Sequence, residues 1–385
     1  MDNPQVSVVR CSEFHSLKGV EEAVCRGLEL IGGLESIICP GDRVLIKPNI
    51  LKDASYLTGV TTNPYLIEAV CGLARQAGAG RVIIGEGAGV GNNTEEAFKE
   101  TGLIEVARRC RAELIDLKKA EMVWMSIPGG VIFRRLRIPR PVLEANVIIN
   151  LPVMKTHDAF PATLGLKNIK GVIAESDKKR FHKWGLSQAI VDLNKLLLPQ
   201  LTIIDGTVGM EGLGPVYGTP VNLGLLIISQ DTVAADSVAA LIMGIEPEEI
   251  EYIKLAGEQG LGCNNPSRME ISGLSIDEVK RPFEVVHLDF SDYKKWGIEI
   301  KEEGACSGCR HMMESVILSL EKEGKLKLLR GYSLIFGQLV KPSSSPQGKL
   351  VSIGLCTRGY KNISQYIPGC PPHPHDVLAF FEKLA

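Results

Sequence analysis

Four cysteines with metal-ligand character fall between residues 306 and 370: Cys306 and Cys309 in C-S-G-C, Cys356 after the run V-S-I-G-L, and Cys370 in I-P-G-C-P-P-H-P. Thiolates hold both iron–sulfur clusters and structural zinc, so the set reads as a complete ligand group. Each cysteine stands where an apolar strand pattern gives way to a turn or a helix. S-L-I-F and V-S-I-G-L read as strands, Cys306 precedes a helical run at 312–323, and Cys370 precedes another at 377–384. Strand ends and helix starts converge on one edge of a small parallel sheet. Backbone N–H groups and the positive helix end would stabilise the negative charge of gathered thiolates there. Pro371, with no N–H to lose and φ already helical, suits the first position of the last helix. The gaps of 46 and 13 residues after Cys309 and Cys356 fit neither a ferredoxin run nor paired zinc knuckles. An iron–sulfur cluster is the leading expectation, with zinc and free thiols as alternatives.

A second group of polar residues ends apolar runs in the first 205 residues: Lys47, Asn49, Glu86, Asn150, Lys155, His157 and Asp205, followed by Lys167 and Asn168 in T-L-G-L-K-N-I-K-G. Open parallel sheets bind ligands at the carboxyl ends of their strands. In K-T-H, Lys155 offers a point charge for an anion and His157 a group able to move a proton near neutral pH. Lys47, Lys155, His157 and Asp205 are therefore the candidate catalytic residues, and Asn49, Glu86, Asn150, Lys167 and Asn168 the candidate ligand-binding ones. Any one of them would serve equally as a solvated strand end.

Elements of alternating type must position these residues. Helical patterns cover 20–31, 64–76, 94–99 (with Asn93 as its expected cap), 188–197, 232–243 and 248–258; strand patterns cover 43–46, 81–84, 113–115, 147–150, 201–204 and 223–228. The alternation predicts an α/β fold with a parallel sheet. It runs to about residue 280, which sets expected domains at 1–280 and 281–385, the second a small C-terminal α/β iron–sulfur domain. P-S-S-S-P-Q-G at 342–348 is the most turn-rich stretch. V-L-I-K-P-N and V-I-I-N-L-P-V-M-K echo each other, as do V-I-I-G-E-G and L-T-I-I-D-G. Two related halves would produce this echo, and so would ordinary turn chemistry.

Composition excludes several classes. With 45% hydrophobic residues and 40 glycines the chain has the make-up of a folded protein, and its net charge of −2 and 5% aromatics give no basis for nucleic-acid binding. No apolar run approaches a membrane span. M-D-N-P-Q lacks the basic and apolar regions of a secretory signal, and Cys11, Cys25, Cys39, Cys71, Cys110 and Cys263 are scattered without pairing. Cys25 and Cys71 fall on apolar helix faces as inert buried thiols. A reducing cytoplasm is the expected location. G-E-G-A-G-V-G at 85–91 is not a dinucleotide loop: it carries Glu86 where phosphate would approach. Asp231 and Asp236 read as helix caps.

Two resemblances bear on function. C-x-G-C before a helix, a lone cysteine after a later strand and P-G-C-P-P-x-P before a final helix resemble the proximal [4Fe–4S] site of nickel–iron hydrogenase small subunits and of the corresponding quinone-oxidoreductase subunit. That resemblance covers residues 300–385 and implies Cys306, Cys309, Cys356 and Cys370 as ligands, not hydrogenase activity. K-P-N, T-N-P, G-E-G, N-L-P-V-M-K-T-H, L-K-N-I-K-G, D-G, G-L-G-P and D-T-V-A-A-D, in that order over residues 5–265, resemble the family called domain of unknown function 362. It implies an intracellular protein associated with iron–sulfur modules. The leading expectation is an oxidoreductase or electron-transfer protein acting on a small anionic ligand or a redox protein partner. The alternatives are a non-redox enzyme on an anionic metabolite with a structural cluster, and an iron–sulfur assembly or interaction protein.

Overall fold

The structure, a computed structural model, describes residues 3–157, 160–286, 288–341 and 348–384. Most of the turn-rich stretch, 342–347, lies outside the described residues. The chain forms two compact units, Met1–Lys178 with Ser187–Val285, and Lys179–Leu186 with Val286–Ala385.

The larger unit runs β1 (Gln5–Arg10), α1 (Leu17–Glu29), β2 (Arg43–Pro48), α2 (Pro64–Gln76), β3 (Arg81–Glu86), α3 (Thr94–Glu100), α4 (Leu103–Cys110), β4 (Glu113–Asp116), β5 (Met122–Ser126), β6 (Arg135–Pro139), α5 (Arg140–Leu143), β7 (Val147–Leu151), β8 (Val153–Lys155) and α6 (Gly165–Asn168). It continues through α7 (Glu175–Trp184), whose second half belongs to the smaller unit, to α8 (Leu186–Leu196), β9 (Leu201–Glu211), β10 (Thr219–Val221), β11 (Leu225–Ser229), α9 (Thr232–Ile242), α10 (Glu251–Glu258), β12 (Glu270–Gly273) and α11 (Ile276–Val279). The main sheet has the order β12-β1-β11-β9-β7-β2-β3-β4, with β8 and β10 paired to β9. β5 and β6 form a separate hairpin.

The helix starts follow local chemistry. Ser16, Asn63, Asn93 and Asp231 each accept backbone N–H bonds at the head of α1, α2, α3 and α9, and Pro64 occupies the first turn of α2. α1 therefore opens at Leu17, three residues before its apolar pattern begins. On one sheet face Val44, Ile46, Val82, Ile84, Val147, Ile149, Leu201 and Ile203 are buried with Val20, Val24, Leu66 and Val70 of α1 and α2. Burying each such side chain contributes about 1.5–3 kcal/mol relative to exposure. Gly27 brings α1 close: a Cβ there would lie 2.5 Å from Ile228 Cδ1. The opposite face carries α9, joined to β9 by a 2.8 Å bond between the Thr202 and Thr232 hydroxyls.

The expectation of a parallel sheet needs one correction. β9, β7, β2, β3 and β4 are parallel, but β11 is antiparallel to both β9 and β1. Residues 212–224 lead from β9 to β11 without a helix, and a connection with no crossover returns the chain in the opposite direction. β9 also runs straight through D-G, which had read as its end; Gly206 pairs with Leu225. The two echoing strand pairs lie outward from a common centre, as β3-β2 and β7-β9. That centre, between β2 and β7, is where the strand order reverses.

The smaller unit contains β13 (Glu299–Lys301), α12 (Ser307–Lys322), β14 (Tyr332–Ile335), β15 (Lys349–Ile353), β16 (Gln365–Ile367) and α13 (Pro374–Glu382), its four strands all parallel in chain order. Met312, Met313, Val316, Leu334, Phe336, Val351 and Phe381 form its core. Pro374, not Pro371, takes the first turn of α13, and His373 caps it. Three residues therefore separate Cys370 from the helix.

Candidate functional site

Polar residues collect at the β2/β7 reversal. Lys47 and Asn150 are register partners on these strands, and both are fully buried. Lys47 Nζ donates to Glu86 Oε2 and to the Pro48 carbonyl, each at 2.7 Å. Glu86 also accepts the N–H groups of Ile50 at 3.1 Å and Gly87 at 2.7 Å. Burial pushes the Lys47 ammonium below its ordinary pKa, and Glu86 opposes the shift. Gly171 roofs the pair: a Cβ there would lie 2.5 Å from Glu86 Oε1 and 2.6 Å from Lys47 Nζ.

A chain of amides extends from this pair. Lys155 Nζ donates to Asn49 Oδ1 and, at 2.7 Å, to the Val60 carbonyl. Asn49 Nδ2 donates to Asn168 Oδ1 at 2.9 Å, Asn168 Nδ2 to Asn150 Oδ1 at 2.8 Å, and Asn150 Nδ2 to the Gly165 carbonyl at 3.0 Å. Asn168 reaches the Lys47 carbonyl as well. Burial first, then the charges of Lys167 and Lys47, lower Lys155 to about 7, against the pull of Glu86 and Asp205. Its amine is thus poised between charged and neutral forms near physiological pH. Lys167 donates to Thr163 Oγ1 at 3.2 Å.

Asp205 and His157, also expected members, make other contacts. Asp205 lies within β9 rather than at a strand end. Its oxygens accept from Asn63 N–H at 2.8 Å and from Thr207 N–H and hydroxyl at 3.0 and 2.6 Å, so it ties β9 to the head of α2. Burial raises its pKa, and those bonds oppose the rise. It reaches Lys155 through charge. His157 packs its ring on Phe160, which in turn meets Tyr252 edge-on.

Lys178 was missed. It is buried in α7, with Nζ donating to the Gly87 carbonyl at 2.7 Å, and burial lowers it to about 8. Its surroundings in sequence, E-S-D-K-K-R-F-H-K-W, are mostly charged and give no sign that one lysine is buried. Lys118 Nζ donates to the Gly89 and Asn92 carbonyls at 3.0 and 2.9 Å. The loop at 85–91 therefore turns carbonyl oxygens toward lysines, the opposite polarity to a phosphate cradle. Asp231 caps α9, as expected. Asp236 instead accepts the Gly165 and Leu166 N–H groups at 2.7 and 2.9 Å, heading α6 from a neighbouring helix, and burial raises it to about 7.

In the smaller unit Cys306 is the N-cap of α12, Cys309 lies in its first turn, Cys356 follows β15 and Cys370 follows β16. The Cys306, Cys309 and Cys356 thiols are close enough to act on one another's protonation. The Cys309 thiol, aided by backbone N–H groups of Gly308 and Cys309, lowers Cys306 to about 6; with the N–H groups of Gly337, Cys356 and Thr357, it does the same for Cys356. Burial raises Cys370, and the charges of Cys306 and Cys356 add to the rise. Among the described residues, no three His, Cys, Asp or Glu side chains are grouped so as to hold a metal ion. All ten cysteines are free thiols. Cys71 is buried as expected, Cys25 only half-buried, and the Cys110 thiol donates to the Glu68 carbonyl at 3.8 Å.

Among the described residues no helix is long and apolar enough to cross a membrane. The chain is 29% identical over 276 residues to the thylakoid-associated protein sll1697 of Synechocystis, covering 68% of this chain and 83% of that one. Among solved structures, it is similar to the lactate racemase apoprotein from Thermoanaerobacterium thermosaccharolyticum (TM-score 0.42, 13% identity, 100% of this chain and 91% of that one). A protein from Thermotoga maritima is comparably distant (TM-score 0.39, 11% identity, 91% of each chain). Similarity at that level says nothing of substrate. Residues 44–241 match the family described as Domain of unknown function (DUF362), a stretch that holds the whole lysine and amide network and stops short of the four cysteines. By that match, this chain belongs to the DUF362 family.

Proposed function

We propose that this chain is an iron–sulfur redox protein: Cys306, Cys309, Cys356 and Cys370 hold a [4Fe–4S] cluster, and the strand-end lysines of the larger unit bind a small anion. The observation that carries the reading is the gathering of the thiols. The start of α12 and the loops after β15 and β16 bring the four cysteines to one end of the small parallel sheet, and a Cβ on Gly354 would lie 3.6 Å from both the Cys309 and the Cys356 sulfur. N–H groups aimed at sulfur stabilise thiolates and tune cluster potentials. A cubane's ligands surround a four-iron body, so they need not satisfy the tighter grouping a single ion demands. When bound, the cluster would supply one-electron chemistry.

The anion reading rests on charge. Lys47, Lys155 and Lys178 are buried in one region, and among the described ion pairs Glu86 is the one buried acid that pairs with any of them. A dehydrated positive excess favours an anionic ligand or loses a proton.

Protein purified without oxygen should contain about four iron and four sulfide per chain and absorb broadly near about 400 nm. Serine at any of the four cysteines should lose or destabilise that content, and serine at Cys25 or Cys39 should not. Stoichiometric zinc without acid-labile sulfide would overturn the reading. A cluster that cannot be reduced and reoxidised would leave a structural staple and favour the non-redox alternative at Lys155.

A further inference from the structure

Two cysteines of the larger unit meet in the fold although nothing in their spacing pairs them. Cys71 is fully buried in α2, and Cys110, the last residue of α4, is half-buried and packed against the same core. The Cys110 Sγ lies 3.8 Å from the Glu68 carbonyl of α2. A helical side chain leans back over the carbonyls three and four residues before it, so the Glu68 carbonyl marks the flank of the Cys71 side chain. The two thiols are close enough to act on one another's protonation.

Arginines clamp this contact from both sides. Arg109, next to Cys110, donates to the two carboxylate oxygens of Glu68 at 2.7 and 2.5 Å. Arg75, one turn after Cys71, donates to the carbonyls of Cys110 at 2.9 Å and Arg111 at 2.5 Å. The end of α4 cannot slide along α2 without breaking these bonds, so the register of the two thiols is fixed. Contact with Cys71 first, then the charges of Arg109 and Arg75, lower Cys110 below the ordinary thiol value, against burial and Glu68. A partly exposed thiol beside guanidinium groups is a reactive one, and a buried thiol at its flank is placed to resolve what it forms. Packing alone would need neither the second sulfur nor the cations.

We propose that Cys71 and Cys110 are a reversible disulfide pair, closed by a low-molecular-weight disulfide such as that of glutathione. The Cys110 sulfur attacks the reagent, forming a mixed disulfide and releasing one thiol. The Cys71 sulfur then displaces the second thiol, and the two cysteine protons leave on the thiols released. The pair is oxidised by two electrons and the reagent reduced by two. The bond ties α4, which leads into the edge strand β4, to α2. It needs no metal and stands apart from the iron–sulfur reading.

The test uses the full chain, reduced, freed of reductant and held with glutathione disulfide; remaining thiols are then alkylated and the chain digested for mass spectrometry. Peptides carrying Cys71 and Cys110 should be recovered joined, two hydrogens lighter than their sum, and dithiothreitol should separate them. Closing the bond should raise the Tm by about 5 °C, because it restricts the unfolded chain. Cys110→Ser should lose both the crosslink and the rise. Cys71→Ala should retain glutathione on Cys110 as the unresolved mixed disulfide. A native chain with both cysteines alkylated after the treatment, or with Cys110 left carrying glutathione, overturns the proposal. A crosslink from Cys110 to some other cysteine does so too. Should Cys71→Ala fail to fold, the native chain and Cys110→Ser still decide the matter.

Discussion

Glu86→Ala is expected to destabilise the larger unit by about 3–5 kcal/mol, read from denaturant unfolding, because it strands the Lys47 ammonium in a site without water. Lys47 is fully buried, and Glu86 is its only carboxylate partner among the described ion pairs. The substitution also takes the acceptor from the Ile50 and Gly87 N–H groups. Lys47→Met should cost less, since it removes a charge and leaves Glu86 two N–H donors. Lys47→Met combined with Glu86→Leu should recover at least half the loss of Glu86→Ala, because most of that loss is an uncompensated charge. A loss under about 1 kcal/mol for Glu86→Ala would mean that water reaches the pair despite the Gly171 roof.

Lys155→Met should abolish phosphate binding and change how stability depends on pH. An anion needs the ammonium form, so the native chain's affinity for phosphate, followed by calorimetry, should fall as pH rises through about 7, the value to which burial and Lys167 bring the amine. Stability runs the other way. Between about 7 and the ordinary lysine value of 10.5, the unfolded chain keeps a proton that the folded amine has released, so the native chain gains stability as pH rises across that window. The variant lacks this gain, and the difference between the two should move in favour of the native chain from pH 7 upward. A pH-independent difference, or undiminished phosphate binding by the variant, would reduce Lys155 to a structural donor for Asn49 and Val60.

Strand ends and caps were the legible part of this fold. Asn63-Pro64 and Asn93 start helices for reasons contained in two or three residues, and apolar runs such as V-I-I-N-L are strands in any setting where both faces are covered. Direction was not legible. L-L-I-I-S reads the same for a parallel or an antiparallel β11; the missing helix between it and β9 decides. Within the candidate site, Lys47, Asn49 and Asn150 meet where β2 and β7 turn over at the order reversal, and Lys155 reaches them from the end of β8 and Asn168 from α6. Asp205 read as a strand end because D-G usually is one; here Asn63 and Thr207 satisfy the carboxylate and the strand continues. Lys178 was invisible, since what buries it is a pair of carbonyls at Gly87 and Ala88, about ninety positions upstream.

The place of β1 bears on how the protein is made. It pairs on one side with β11 and on the other with β12, and the Ser229 hydroxyl bonds to the Gln5 carbonyl across 224 positions. On a ribosome the first strand emerges long before either neighbour exists. Val6, Val8 and Val9, all buried in the finished sheet, are meanwhile displayed on a segment with both hydrogen-bonding edges open. Nascent chains of intermediate length should therefore be clients of holding chaperones, and translation stalled ahead of residue 225 should leave them most prone to aggregate.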